Sequence, residues 1–389
     1  MKRTIKDFDL DGKKIIIRCD LNVPMEDGVI TDDTRIVSSL RTIKYALRFN
    51  TRVILLSHLG KVKTEEDKKK NSLYPVAERL REYLNTEVLF SPDTCSDKLT
   101  DMVNNMKEKS VLLIENTRFE DVPNKRESEC NDDLARYWAS LGDIFINDAY
   151  GTCHRNHTSI TGIPKYLSSG VGFLVEKELQ KIDSVLDAKT HPFVAVLGGK
   201  KVDDKITLIE SLLQKCDKLL IGGAMSFTFL KVKGYNTGKS IVSLDHLDFA
   251  KDMLDKYGDK IILPVDFMTN DGEKKIEEFN DDDIGYDIGS NSIKLFNREL
   301  ETAKRVILNG PMGLFEDKKY AKGTRMIFKC LDKNKVKTVI GGGDSAAAVN
   351  KLGFSDSFYH VSTGGGATMK YLESRSLVGI DAIEDKKVN

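Results

Sequence analysis

Short apolar runs alternate with amphipathic helical segments along almost the whole chain, and no other feature restricts the fold so strongly. In the first half the runs are 14–18, 53–57, 87–90, 111–115 and 144–147; in the second they are 193–197, 218–221, 260–263, 305–308, 335–340 and 358–361. Between them Ile36, Leu40, Ile43 and Leu47 fall on one helical face, and Pro75 opens another helix with Val76, Leu80 and Leu84. Repeated strand–helix units predict mainly parallel sheets covered on both faces, an α/β fold. A chain of 389 residues is long enough for two such domains, each with its own core. Residues 171–187 read as one long helix with Val175, Leu179, Ile182 and Leu186 on its apolar face, placed to act as a hinge between two halves. An ordinary crossover helix within one large sheet fits the same pattern.

The residues at the strand exits differ between the halves. In the first half basic residues recur: Arg18, then His58 and Lys61, then Arg118, then His154 and Arg155, with Arg35 in the first strand–helix connection. Ligands of open α/β sheets bind beyond the carboxyl ends of the strands, so these side chains should converge on one crevice suited to a small polyanion. Asp20 and Asn22 add capacity to bind hydroxyls, as a glycerate-like acid requires. Taken singly, each cation reads as a surface ion pair; recurrence at four strand ends is what argues for a site.

Strand exits in the second half are rich in glycine: Gly198-Gly199 followed by Lys200, Lys201 and Lys205, then Gly222-Gly223, then Asn309-Gly310-Pro311, and two triple-glycine turns, 341–343 and 364–366. The first triple turn opens a helix over 346–352 that Gly353 closes, with Asp344 or Ser345 placed as its N-cap. Free backbone N–H groups and the positive end of a helix dipole suit a phosphate, and two such turns close in sequence point to a nucleotide. Gly341, Gly343 and Ala346 also fit the loose dinucleotide pattern, but the next strand ends in Ser362 and Thr363, with no acid to hold a ribose. No P-loop motif occurs. A basic crevice in one half and a glycine-lined one in the other suggest two substrates.

Composition excludes more than it identifies. Lys+Arg and Asp+Glu are equal at 60 each, so net charge points to no nucleic-acid or membrane partner, and any anion site is local. Six cysteines without C-x-x-C spacing, and no charged start followed by an apolar run, predict a reduced cytoplasmic enzyme. His154 and His157 lack a third ligand at zinc spacing. The acidic stretch 270–292 reads as a solvated connection without a role, and 61–71 as a charged surface segment. Beyond residue 372, Leu377, Val378, Ile380 and Ile383 offer enough apolar surface to dock on something periodicity does not name.

The motifs RCDLNVP (18–24), TDDTRI around Arg35, SHLGK (57–61), ENTRF, DAYGTCHR, LGGKKVDDKI, LNGPMGLFE, GGGDS and STGGGA together resemble the phosphoglycerate kinase family over nearly the whole chain. The resemblance implies two Rossmann-like domains with mainly parallel sheets: residues 1–170 for phosphoglycerate, a hinge helix over 171–189, a nucleotide domain over 190–370, and a segment 371–389 returning to the first domain. It implies that Asp20, Leu21, Asn22, Arg35, His58, Leu59, Gly60, Lys61, Arg118 and Arg155 hold the phosphoglycerate. Lys201, Lys205, Asn309, Glu316, Gly342, Gly343, Asp344 and Ser345 would hold ADP or ATP, with Asp344 helping to bind Mg2+. Arg35, Lys201, Gly365 and Gly366 would steady the phosphoryl group in flight. The implied enzyme is a cytoplasmic monomer of glycolysis. Lys61-Val62 stands where the family commonly has Arg-Pro, which keeps the charge but loses the bidentate fork. Asn156, Met369-Lys370 and Leu377-Val378-Gly379 also depart from the usual pattern.

The implied reaction passes a phosphoryl group reversibly from 1,3-bisphosphoglycerate to MgADP, giving 3-phosphoglycerate and ATP. In the reverse direction the carboxylate is already a nucleophile and needs no general base, which matches a site of cations and backbone donors. Substrates held in separate domains require closure that aligns them and excludes water. A related acid-sugar or acyl-phosphate kinase, and a non-catalytic protein that keeps the crevice, are the other two readings.

Overall fold

The alternation folds into two six-stranded parallel sheets, one in each of two units of a computed structural model that describes residues 1–387. One unit comprises Met1–Leu179 with the chain from Ser376 on; the other is Gln180–Arg375. The first contains β1 (Lys14–Cys19), a small hairpin of β2 (Met25–Glu26) and β3 (Val29–Ile30), β4 (Arg52–Leu56), β5 (Val88–Ser91), β6 (Ser110–Ile114), β7 (Ile144–Asp148) and β8 (Ser168–Val171). Its sheet runs β5-β6-β4-β1-β7-β8, every pair parallel. Ile15, Ile16 and Ile17 are wholly buried, as both faces of a covered parallel strand demand.

Five helices connect these strands: α1 (Thr34–Ala46), α2 (Glu65–Lys70), α3 (Tyr74–Tyr83), α4 (Asp97–Asn104) and α5 (Asp132–Ser140). On α1, Ile36, Leu40 and Ile43 are buried, while Leu47 falls just past the end as the C-cap. Pro75 occupies the first turn of α3, where its missing N–H is no loss. The charged segment 61–71 contains α2, an exposed helix held by a capping box between Thr64 and Asp67. The strand β8 has no apolar run to announce it: Ser168, Ser169 and Gly170 give it no pattern, yet it pairs with β7.

One helix, α6 (Phe173–Leu186), carries the chain from the first unit into the second. There β9 (Phe193–Leu197), β10 (Lys218–Ile221), β11 (Ile261–Ile262), β15 (Arg305–Asn309), β16 (Lys337–Gly341) and β17 (His360–Val361) form a parallel sheet in the order β11-β10-β9-β15-β16-β17. Its helices are α7 (Ile206–Leu213), α8 (Ser226–Val232), α9 (Leu247–Tyr257), α10 (Ser290–Thr302), α11 (Lys322–Lys333), α12 (Gly343–Leu352) and α13 (Gly365–Ser374).

Two expectations for this unit fail. The stretch 270–292 is not a loop: β12 (Asp266–Thr269), β13 (Gly272–Lys275) and β14 (Gly285–Ile288) make an antiparallel sheet in the order β13-β12-β14. Phe267 and Ile288 on it, and Ile276 just after β13, are buried in the core of the unit. The helix after the first triple glycine starts at Gly343, with Gly342 as N-cap at φ +96°, so Asp344 and Ser345 sit in its first turn instead of capping it. Only glycine adopts that φ cheaply, and this is what allows the early start. Gly353 closes the helix at φ +81°.

The end of the chain docks on the first unit. Leu377, Ile380 and Ile383 are buried around the short helix α14 (Val378–Asp381), while Val378 stays 45% exposed. Gly379 donates its N–H to the Cys153 carbonyl at 2.8 Å, and Asn147 Nδ2 donates to the Gly379 carbonyl at 3.1 Å. Within 371–389, residues 388 and 389 lie outside the described residues.

Candidate functional sites in the two units

In the first unit β6, β4, β1 and β7 are consecutive neighbours, so the segments that leave them lie side by side at one edge of the sheet. Their loops are cross-tied. Asn22 Oδ1 accepts the Gly60 N–H at 2.8 Å, and Arg118 Nη1 donates to the Gly60 carbonyl at 2.7 Å. Asn116 Oδ1 accepts the Leu59 N–H at 3.2 Å while its Nδ2 donates to the Leu59 carbonyl at 2.7 Å. Leu21 donates its N–H to Ser57 Oγ at 2.9 Å. Leu21 and Leu59 are themselves core residues, so only their main chain can face a ligand. Gly60 sits at φ +59°, and a Cβ there would lie 1.9 Å from Asn71 Oδ1.

The cations gather around these loops. Arg35, half-exposed on α1, donates from Nη1 to Asp20 Oδ2 at 2.5 Å. Burial, and then the charges of Arg18, Arg118, Arg155 and His157, hold His58 well below the usual histidine range. Burial followed by Arg18, Arg155, Arg118 and His154 takes His157 down to about 3. Burial and then Arg118 lower Arg155, with Asp20 opposing them. Groups that suppress one another's protonation in this way are short of negative charge, and an anion relieves them. Arg118 Nε and Thr117 Oγ are buried without a hydrogen-bond partner, which also points to a missing ligand.

Two side chains depart from the expected crevice. Arg18 does not line it: the residue is wholly buried, and its guanidinium donates to Ser159 Oγ at 2.9 Å and to the Cys19 carbonyl, with Nη2 at 3.2 Å from His58 Nδ1. It forms the floor beneath the cluster. Lys61 is exposed and joins none of these hydrogen bonds.

The second unit repeats the device with glycine in place of cations, since β10, β9, β15 and β16 are again consecutive. Their exits interlock backbone against backbone: Gly199 donates to the Pro311 carbonyl at 3.0 Å and Gly223 to the Met312 carbonyl at 3.1 Å. A Cβ on Gly223, at φ +63°, would lie 2.6 Å from the Gly199 nitrogen, and one on Gly310, at φ +96°, would lie 2.2 Å from the Gly198 oxygen. No other residue permits this packing. A cavity of about 420 Å³ opens above it, lined by Gly199, Lys200, Gly223, Ala224, Pro311, Gly313, Glu316 and Asp344 among others. That volume suits a small molecule.

Lys205 braces the floor. Its ammonium donates to the Gly198 carbonyl at 2.6 Å, to the Asn309 carbonyl at 3.1 Å and to Asn309 Oδ1 at 2.5 Å, and burial lowers its pKa to about 8. Asn309 Nδ2 reaches the Gly341 carbonyl at 3.0 Å, and Ser345 Oγ accepts the Gly310 N–H at 2.6 Å. A Cβ built on Gly365 would stand 3.6 Å from the Gly343 nitrogen, so α12 and α13 begin side by side. Gly342, Gly343, Gly365 and Gly366 thus bring two positive helix ends together. Lys201, by contrast, is exposed and interacts with Asp203; Lys200 lines the cavity instead.

Sequence reasoning gave no role to one wall of the cavity. Ile284, Gly285 and Tyr286 line it from β14 and the loop before it, and Tyr286 stacks on Tyr320 with ring centroids 4.6 Å apart. Beneath them burial raises the Asp287 carboxyl to about 7, where it accepts the Gly323 N–H at 2.6 Å. The Asn270-Asp271-Gly272 turn was the signal that could have found this sheet.

Comparison with known proteins agrees with both halves. The sequence profile of the family described as phosphoglycerate kinase matches residues 5–375. Phosphoglycerate kinase of Listeria welshimeri is 50% identical, with 99% of this chain and 100% of the relative covered; that of Fusobacterium nucleatum is 51% identical at the same coverage. A solved phosphoglycerate kinase structure from Coxiella burnetii superposes with a TM-score of 0.88 at 35% identity, covering 98% of each chain. One from Pyrococcus horikoshii gives 0.84 at 31% identity, again over 98% of each. With a family profile spanning nearly all of its length and half its residues shared with curated relatives, the chain belongs to the phosphoglycerate kinase family.

Proposed function

We propose that the protein transfers a phosphoryl group reversibly from the acyl phosphate of 1,3-bisphosphoglycerate to ADP, giving 3-phosphoglycerate and ATP. The observation that carries this reading is the cluster of Arg35, Arg118 and Arg155 with neutral His58 beside them, short of negative charge and with Arg118 Nε buried and unpartnered. The phosphate and carboxylate of the glycerate ligand supply what it lacks, and Asp20 and Asn22 offer acceptors for its hydroxyl.

The nucleotide takes the glycine-lined cavity, its phosphates toward the paired starts of α12 and α13. Lys205 and Asn309 hold that floor in shape, and Lys201, exposed on a loop beside it, is free to swing toward the transferred group. Mg2+ fits here. The ion keeps several waters and takes one or two carboxylates plus substrate phosphates, and Asp344 on the cavity wall provides one such carboxylate. Bound there, Mg2+ would offset phosphate charge.

In the reverse direction, from ATP to 3-phosphoglycerate, the accepting carboxylate is already a nucleophile, so the residues need only align it and stabilise charge on the moving group. Arg35, Lys201 and the amides of Gly365 and Gly366 are the candidates for that task. A donor bound in one unit and an acceptor bound in the other require closure about the helix α6, which also keeps water from the acyl phosphate. Small-angle scattering with both substrates should show compaction, and an unchanged profile rejects closure. The unpaired state of all six cysteines supports a reducing cytoplasmic setting, and we infer a monomer acting on small molecules only. Among the described residues no helix is long and apolar enough to cross a membrane.

The test is MgATP-dependent turnover of 3-phosphoglycerate with the acyl phosphate trapped by a coupled reduction, in wild type and Lys201→Ala. Turnover abolished by the substitution supports the reaction and the nucleotide site. Nucleotide binding without turnover means a different acceptor, and glycerate analogues then identify it.

A further inference from the structure

A buried carboxylate that the proposed mechanism does not use lies behind the cation cluster. Glu127 is wholly inaccessible to solvent. Its Oε2 accepts the Ser159 N–H at 2.9 Å and its Oε1 accepts the Ser159 hydroxyl at 2.5 Å. That same hydroxyl oxygen accepts from Arg18 Nε at 2.9 Å, and Arg18 Nη2 stands 3.2 Å from His58 Nδ1. Glu127 Oε1 also lies 3.9 Å from His157 Nδ1. A sealed carboxylate persists only where it is paired and hydrogen-bonded, and here every contact leads toward the acceptor site.

We propose that Glu127 is a positioning residue for the acceptor site, fixing Arg18 through Ser159 and His58 through Arg18. The inference rests on the acceptor-site reading of the cation cluster.

The chain of bonds has a direction. Burial raises the Glu127 carboxyl, and the charge of Arg18 with the two Ser159 bonds opposes it; as a carboxylate it can only accept, so Ser159 points its proton at Glu127 and its lone pair at Arg18. Arginine can only donate, so His58 Nδ1 must accept from it. A neutral imidazole that accepts at Nδ1 carries its proton at Nε2, and His58 is held neutral. The relay therefore selects one tautomer of His58, a donor suited to an anionic ligand. It also gives buried Arg18 a counter-charge on the side away from the ligand. Without it Arg18 and Arg118 would face each other balanced by little more than Asp20 and Asp121.

The experiment compares wild type, Ser159→Ala, Glu127→Gln and the double variant. Calorimetry measures binding of 3-phosphoglycerate and, separately, of MgATP; nitrogen-15 NMR reads the tautomer of His58. Ser159→Ala keeps both charges and removes one hydroxyl, so it carries the test even if Glu127→Gln fails to fold. Each single change should weaken 3-phosphoglycerate binding about tenfold, as loss of a group that orients a ligand-holding side chain does. MgATP affinity should stay unchanged, and His58 should lose its single Nε2–H form. Because the links act in series, the double variant should bind no more weakly than the worse single one. Unchanged or tighter binding by Ser159→Ala, multiplying effects in the double variant, or an equal loss of MgATP affinity would each overturn the relay. A wild type that fails to bind 3-phosphoglycerate overturns the acceptor-site reading and this inference together; a wild type that binds, with unaltered variants, overturns only this inference.

Discussion

Replacing Asp148 with asparagine should make the first unit more stable above neutral pH, and by an amount the structure sets. Asp148 ends β7 fully buried, its carboxylate favoured by the Thr42 hydroxyl and by its Oδ1 accepting the Leu174 N–H at 2.8 Å and the Val175 N–H at 3.3 Å at the start of α6. Burial outweighs these bonds and raises its pKa from 3.8 to about 7. In the unfolded chain the group loses its proton near pH 4, whereas in the folded chain it keeps the proton to about pH 7. Rising pH therefore favours unfolding across that interval. The penalty is absent below pH 4, grows through pH 4–7 and is constant above. Three pKa units at about 1.4 kcal/mol each give about 4 kcal/mol. Asparagine cannot ionise, and its Oδ1 keeps the cap. Trp138 is the chain's single tryptophan, wholly buried in this unit, so its fluorescence in urea follows this unit alone. The stability of Asp148→Asn relative to wild type should rise by about 4 kcal/mol between pH 4 and pH 8. A difference flat to within about 1 kcal/mol over that range would refute the reasoning.

Two further outcomes concern the substrates. Arg35→Ala should lower turnover about 10²-fold with circular dichroism unchanged, as loss of one transition-state donor does; near-normal turnover removes Arg35 from the phosphoryl-transfer step. Tyr286→Ala should raise the KM for MgATP about tenfold by removing aromatic surface from the cavity wall, and leave the KM for 3-phosphoglycerate alone. Equal changes in both would show that Tyr286 supports only the fold.

The parallel strands were legible because Ile15–Ile17 or Val194–Leu197 must be apolar at every position to lie between two helix layers. β12, β13 and β14 were not, because strands of four residues alternate too briefly to register and Asp281, Asp282 and Asp283 dominate the composition of the loop between them. The gathering of cations was legible because strand ends in a parallel sheet share one edge. The burial of Arg18 was not, since the hydroxyl that receives it lies 141 residues further along the chain. Nor could pattern decide between Lys200 and Lys201, neighbours on a loop that leaves Gly199 at φ +112°, where no periodicity fixes which side chain faces the cavity.

The first unit is built from both ends of the chain, Met1–Leu179 and the residues from Ser376 on. During synthesis, then, the whole of Gln180–Arg375 emerges from the ribosome before the Cys153 carbonyl can receive the N–H of Gly379. The loop that carries His154 and Arg155 stays without that backbone partner until residue 379 has been made. A nascent chain that stops short of residue 379 lacks part of the first unit, so the loop carrying His154 and Arg155 takes this pairing only after the second unit has been made.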